Sequence, residues 1–94
     1  MKIEFKKPAR KFLQSRSDGE RIRILKAIGK LPNEGDIVKM SGYGNRYRLR
    51  VGNIRVVYEI RSIIDDASSP PKKVLLILVL EIDNRGDLYK QKRT

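Results

Sequence analysis

A chain of 94 residues with no cysteine, no histidine and 39% hydrophobic residues fits one small domain built without disulfides. The missing residue types exclude thiol nucleophiles, the usual zinc sites and the commonest general base, so any chemistry falls to Arg, Lys, Tyr, Asp or Glu. Twenty-two Lys and Arg against 11 Asp and Glu give a formal charge of +11, which favours a polyanionic partner: nucleic acid, an acidic protein or an anionic membrane surface.

The alternation of Ile3 and Phe5 with Lys2 and Glu4 predicts a short half-buried strand. Pro8 suits a first helical turn and opens a helix through Phe12 and Leu13. Ser17 stands three residues before Glu20, the spacing of a capping box, and Ile22, Leu25, Ile28 and Leu31 then recur at helical intervals until Pro32. A helical hairpin is expected here. "PNEGD" and "SGYGN" read as loops, after which period-two alternation predicts strands over Tyr47 to Val51 and Ile54 to Ile63. A loop at about 65–73 carries "DDASSPP", and the run Val74 to Leu80, apolar on both faces, predicts a central strand. The expected fold is α+β: a small antiparallel sheet of about four strands packed against an N-terminal helical hairpin, with the whole of 1–94 as one domain and a flexible basic tail at 91–94. The longest apolar run is too short to cross a bilayer, and "MKIEFKKPARKF" lacks the apolar core of a signal peptide, so a cytoplasmic protein is expected.

The turn at Gly52-Asn53 separates two alternating runs by two residues, as in a tight hairpin, and register follows from it. If Val51 opposes Ile54, then Arg50 opposes Arg55, Leu49 opposes Val56, Arg48 opposes Val57 and Tyr47 opposes Tyr58. Core residues then take one face, and Arg48, Arg50 and Arg55 take the other. Two arginines opposed on one face repel unless an anion lies between them or solvent screens them, so truncating either should leave stability level or raise it slightly. A merely solvated face would accept lysine equally well, yet Tyr43 to Arg61 contains arginine and no lysine. The planar guanidinium fork suits phosphate recognition. Downstream, "EIDNRGDLYK" places Arg85 and Tyr89 beyond the central strand, where strand ends meet if that strand pairs with Ile54–Ile63. Tyr89 offers a ring for base stacking and a hydroxyl for hydrogen bonding; taken alone, it reads equally as an amphipathic cap on the sheet.

Together, the basic first strand, the helical hairpin, "YRLRVGNIRVVYEI" and "NRGDLYK" resemble the RelE/ParE superfamily of toxins from toxin–antitoxin pairs, whose core reads Tyr-Arg-x-Arg-x-Gly-x-x-Arg-x-x-Tyr followed by a terminal Arg-x-x-x-Tyr. The resemblance implies a toxin of a type II toxin–antitoxin system that acts as a ribosome-dependent mRNA endonuclease, with catalytic positions falling on Arg48, Arg50, Arg55, Arg85 and Tyr89. It implies no cofactor and no metal; the acidic residues near this set, Glu59 and Asp87, stand isolated in sequence. It further implies an acidic RelB-like antitoxin in a hetero-oligomer, mRNA in the ribosomal A site and no membrane. Some RelE-like enzymes carry lysine where this chain has Arg48 and Arg50, and arginine is a poor base because it keeps its proton. Proton transfer from the RNA 2′-hydroxyl falls on Arg50 by resemblance, but an electrostatic role for Arg48, Arg50 and Arg55 around the scissile phosphate is better founded. Arg85 would stabilise that phosphate or the leaving 5′-oxygen, and Tyr89 would stack on or orient a splayed base. A ParE-like gyrase inhibitor and a nucleic-acid-binding module without catalysis are the competing expectations. ParE-like members generally lack this full basic and tyrosine set.

Overall fold

The structure, a computed structural model, describes residues 1–84, so the basic tail expected at 91–94 lies outside the described residues. In chain order the elements are β1 (Lys2–Phe5), α1 (Lys7–Gln14), α2 (Asp18–Gly29), β2 (Asp36–Lys39), β3 (Arg46–Val51), β4 (Ile54–Asp65) and β5 (Lys72–Asn84). The strands form one five-stranded sheet in the order β1-β5-β4-β3-β2. The class is the expected α+β, with two differences in the sheet. First, β1 runs parallel to β5, Lys2 beside Leu76 and Phe5 beside Val79, so the sheet is mixed rather than purely antiparallel. Parallel neighbours need a long crossover, and the chain between β1 and β5 supplies it. Second, β2 is a fifth strand: Asp36 to Lys39 pair antiparallel with Arg50 to Tyr47. Four residues with charges at both ends carry almost no alternation, and only the partner strand makes them β.

The helical corner is fixed by polar contacts. Ser17 caps α2 by accepting a hydrogen bond from the Glu20 backbone N–H at 3.3 Å. Arg21 then reaches back to the end of α1, donating to the Leu13 carbonyl at 2.9 Å and the Arg16 carbonyl at 2.7 Å while pairing with Asp18 at 2.8 Å. These bonds tie the turn between the helices to the first turn of α2. With α2 oriented in this way, Ile24 and Ile28 point into the core and Leu31 follows in the turn, all essentially buried. Ile22 and Leu25, expected on the same stripe as Ile28 and Leu31, remain 53% and 39% exposed. Two apolar stripes fit the same helical period, and tertiary docking selects the one that meets the sheet.

Both helices pack on one face of the sheet. Ala9 and Leu13 of α1, with Ile24 and Ile28 of α2, meet Leu49, Ile54, Val56, Tyr58, Ile77, Val79 and Ile82. β5 is an interior strand between β1 and β4, as its two apolar faces predict, although β4 takes the central position: Ile77 and Val79 face the helices, while Leu76 and Leu78 are buried outside that core, on the opposite face. A register shift at Val57/Tyr58 bypasses Leu80, since Val57 opposes Glu81 and Tyr58 opposes Val79. Strict alternation would send Val79 and Ile82 to opposite faces; the bulge lets both point inward. Neither described helix is long and apolar enough to cross a membrane.

Candidate nucleic-acid interface on the open sheet face

The β3–β4 hairpin has the expected register at every position: Val51 opposes Ile54, Arg50 Arg55, Leu49 Val56, Arg48 Val57 and Tyr47 Tyr58. Gly52 makes the turn possible with φ at +60°, while Asn53 stays at negative φ, the arrangement of a II′ turn that matches the strand twist. Leu49 and Val56 are therefore buried under the helices. Arg48, Arg50 and Arg55 lie on the open face by the same alternation.

Their charges are not equivalent. Arg50 is exposed, and neither it nor Arg48 has an ion-pair partner among the described residues. Asp36 opposes Arg50 across β2, yet the two form no ion pair. Arg48 is half-buried, with its Nε shielded and lacking a hydrogen-bond partner among the described residues. Arg55, by contrast, is gripped from the other side: its Nη2 lies 2.7 Å and its Nε 3.3 Å from the two carboxylate oxygens of Asp83, with Glu81 at 3.6 Å. Asp83 is the direct strand partner of Arg55 on β5, and Glu81 is two residues away on the same face. The expected repulsion between Arg50 and Arg55 is thus offset within the protein, which reverses the expected outcome of truncating Arg55. Strict alternation from Ile77 and Val79 would put Asp83 on the helix side of the sheet. The bulge at Leu80 moves it to the open face beside Arg55, a displacement that residue order does not signal.

A second neutralised group lies toward the other end of β4. Glu59 accepts from Arg46 at 3.0 Å and from Arg61 at 2.7 and 3.1 Å. Hydrogen bonds from Arg46 and then Arg61 hold its carboxyl below the usual carboxylate range, against the opposing effect of burial. Glu59, isolated in the sequence, is therefore the centre of a three-residue ion cluster. On the helix side, the rings of Tyr47 and Tyr58 stack at 5.7 Å. Burial, and after it the proximity of Tyr47, pushes the Tyr58 hydroxyl up to about 12.

The sequence-derived set is therefore only partly assembled by the described residues: Arg48, Arg50 and Arg55 share one face, and Arg85 and Tyr89 lie outside the described residues. At the edge of β3, on the side that faces α2, a groove of about 510 Å³ lined by Leu49 and Val51 carries Arg23, Lys26 and Lys30, with Glu34 as its carboxylate. The arrangement is suited to holding a chain of anionic groups across the β3 side of the sheet.

No family model and no curated protein matches the chain. Among solved structures, it is similar to a chain of the RelB-RelE antitoxin-toxin complex from Methanococcus jannaschii, with 26% identity over 94% of this chain and 96% of the other and a TM-score of 0.62. Similarity across nearly the full length of both chains, together with a hairpin that carries the arginine motif in the expected register, leads to one conclusion: this chain has a RelE-like fold.

Proposed function

We propose that the protein is the toxin of a type II toxin–antitoxin pair and a metal-independent, ribosome-dependent mRNA endonuclease. The observation that carries this reading is the pair Arg48 and Arg50, two cations that form no ion pair among the described residues, on the open face of a RelE-like fold. In the RelB-RelE complex a toxin of similar structure is bound to its antitoxin. An acidic antitoxin here would answer the net charge of +11.

The chemistry supported is internal transesterification. The RNA 2′-oxygen forms a bond to the scissile phosphorus as the bond to the 5′-oxygen breaks, leaving a cyclic phosphate and a free 5′-hydroxyl. Arg48 and Arg50 would hold the phosphate and offset the charge that accumulates on its oxygens. Arg55, tied to Asp83, would keep that face in register, and Arg85 and Tyr89 remain the proposed contributors to leaving-group stabilisation and base orientation. A guanidinium does not release its proton readily, so these groups alone would cleave free RNA poorly. Ordering of the message in the ribosome would supply the in-line geometry.

Primer extension on a translated message tests the reading. Codon-phased cuts that appear with the protein and vanish with Arg48→Ala/Arg50→Ala are expected; growth inhibition without any cut message would instead favour a binding toxin of the gyrase-directed kind.

A further inference from the structure

Residues 40–45 connect β2 to β3 and are tied down at several points. The Met40 N–H donates to the Arg46 carbonyl at 3.0 Å, the Ile60 N–H to the Asn45 carbonyl at 3.2 Å, and the Asn45 side-chain amide to the Ile60 carbonyl at 2.6 Å. Gly42 and Gly44 adopt φ of +79° and +63° on either side of Tyr43, a backbone that presents this residue outward. Tyr43 is 56% exposed, the only tyrosine of the described residues left so open, and its hydroxyl makes no hydrogen bond among them. An exposed aromatic ring on a pinned loop is not there for the core.

One contact does hold the ring. The Arg46 guanidinium lies 5.1 Å from its centroid, within cation–π range. Arg46 is itself fixed by Glu59, which Arg61 fixes in turn. The stack of guanidinium and phenol is therefore set in place by an ion cluster rather than left to rotate. Arg46 also begins the series Arg46, Arg48, Arg50 on β3, whose members share one face at intervals of about 6.8 Å. Beside the loop, Lys39, Met40, Ser41, Gly42 and Gly44 line a hollow of about 320 Å³ with a lysine at its rim.

We propose that Tyr43, backed by Arg46, is a stacking platform for one unpaired base of an RNA strand whose phosphates follow Arg48 and Arg50 along β3. The inference rests on the RNA-directed reading above and extends it to a position outside the arginine set. A flat ring accepts any base on its π-face, and the guanidinium behind it adds a positive charge to the stack. Phosphates held by Arg48 and Arg50 would fix the strand's path, and Tyr43 would fix which nucleotide leaves it.

Short single-stranded RNAs carrying 2-aminopurine at successive positions test this directly, because stacking quenches the probe. With the wild-type protein, quenching is expected at one position. Tyr43→Phe should retain affinity and quenching, whereas Tyr43→Ala and Tyr43→Leu should bind roughly five- to a hundredfold more weakly and lose the quenching. Equal affinity and quenching in Tyr43→Ala or Tyr43→Leu would overturn the proposal, as would failure of the wild-type protein to bind any of these RNAs. Cleavage of a translated message is read in parallel. If the wild-type protein cuts but Tyr43→Ala binds and cuts identically, the platform is refuted and the nuclease reading stands. If quenching depends on Tyr43 but no message is cut, the platform stands and the nuclease reading fails.

Discussion

Arg50 of β3 and Arg55 of β4 are direct partners across one sheet face, yet the protein treats them oppositely. Arg55 has Asp83 and Glu81 on its far side and is neutralised within the fold. Arg50, like Arg48, forms no ion pair of this kind among the described residues. The difference arises from neighbours. β4 lies between β3 and β5, and the end of β5 carries acids that reach Arg55, whereas Asp36 of the short β2, although the strand partner of Arg50, forms no ion pair with it. Identical side chains on one surface thus divide into a structural group and a group left available to an external anion. Counting arginines in the motif does not reveal that division.

The largest effect expected from this contrast is on activity. Arg48→Ala combined with Arg50→Ala should abolish growth inhibition and flatten the salt dependence of RNA binding, while stability changes by no more than about 1 kcal/mol. Chemical denaturation alongside a toxicity assay checks both parts; full toxicity in a folded double variant would remove these arginines from the mechanism. Next in size, Leu49→Ala separates the two faces of β3 itself. Its neighbour Arg50 is exposed but Leu49 is buried, so the truncation should lower unfolding free energy by about 2–5 kcal/mol.

Arg55→Ala sharpens the comparison further. Loss of a bidentate pair should lower stability by about 1–2 kcal/mol after allowance for its partial exposure, the opposite of relief from repulsion. A double-mutant cycle with Asp83→Ala should show favourable coupling, and additive effects would mean that the pair contributes nothing. The smallest effect concerns pH. Arg46 and Arg61 hold the Glu59 carboxyl below its ordinary value in the folded protein, so its stabilisation is fully present above the unfolded-state pKa and is lost as pH falls through the lower folded-state one. Glu59→Gln should therefore flatten the acid limb of a stability–pH curve, and an unchanged limb would exclude Glu59 from it.

Several features are legible from residue order because they are set locally. A two-residue turn at Gly52-Asn53 leaves few registers, and alternation then assigns Leu49 and Arg50 to opposite faces without reference to the rest of the chain. Ser17 before Glu20 marks the start of α2, and the apolar run of β5 marks a strand flanked by other strands on both sides. The RelE-like arrangement is legible for the same reason, since its motif is mostly this hairpin.

What residue order leaves open depends on partners far along the chain. β1 finds β5 more than 70 positions away and pairs parallel to it, a choice no local pattern encodes. β2 is a strand only because β3 is beside it, and α2 buries Ile24 rather than Ile22 because Arg21 and the sheet fix its rotation. The status of each arginine is decided in the same way. Guanidinium chemistry is inherent in the residue, but whether its charge is available to a ligand depends on which carboxylates the bulged β4–β5 register brings within about 3 Å, as it does for Asp83 at 2.7 Å from Arg55. Sequence by itself determined which side chains share the open face of the hairpin; only tertiary pairing decided which of them remain uncompensated, because electrostatic neutralisation acts through space and not along the chain.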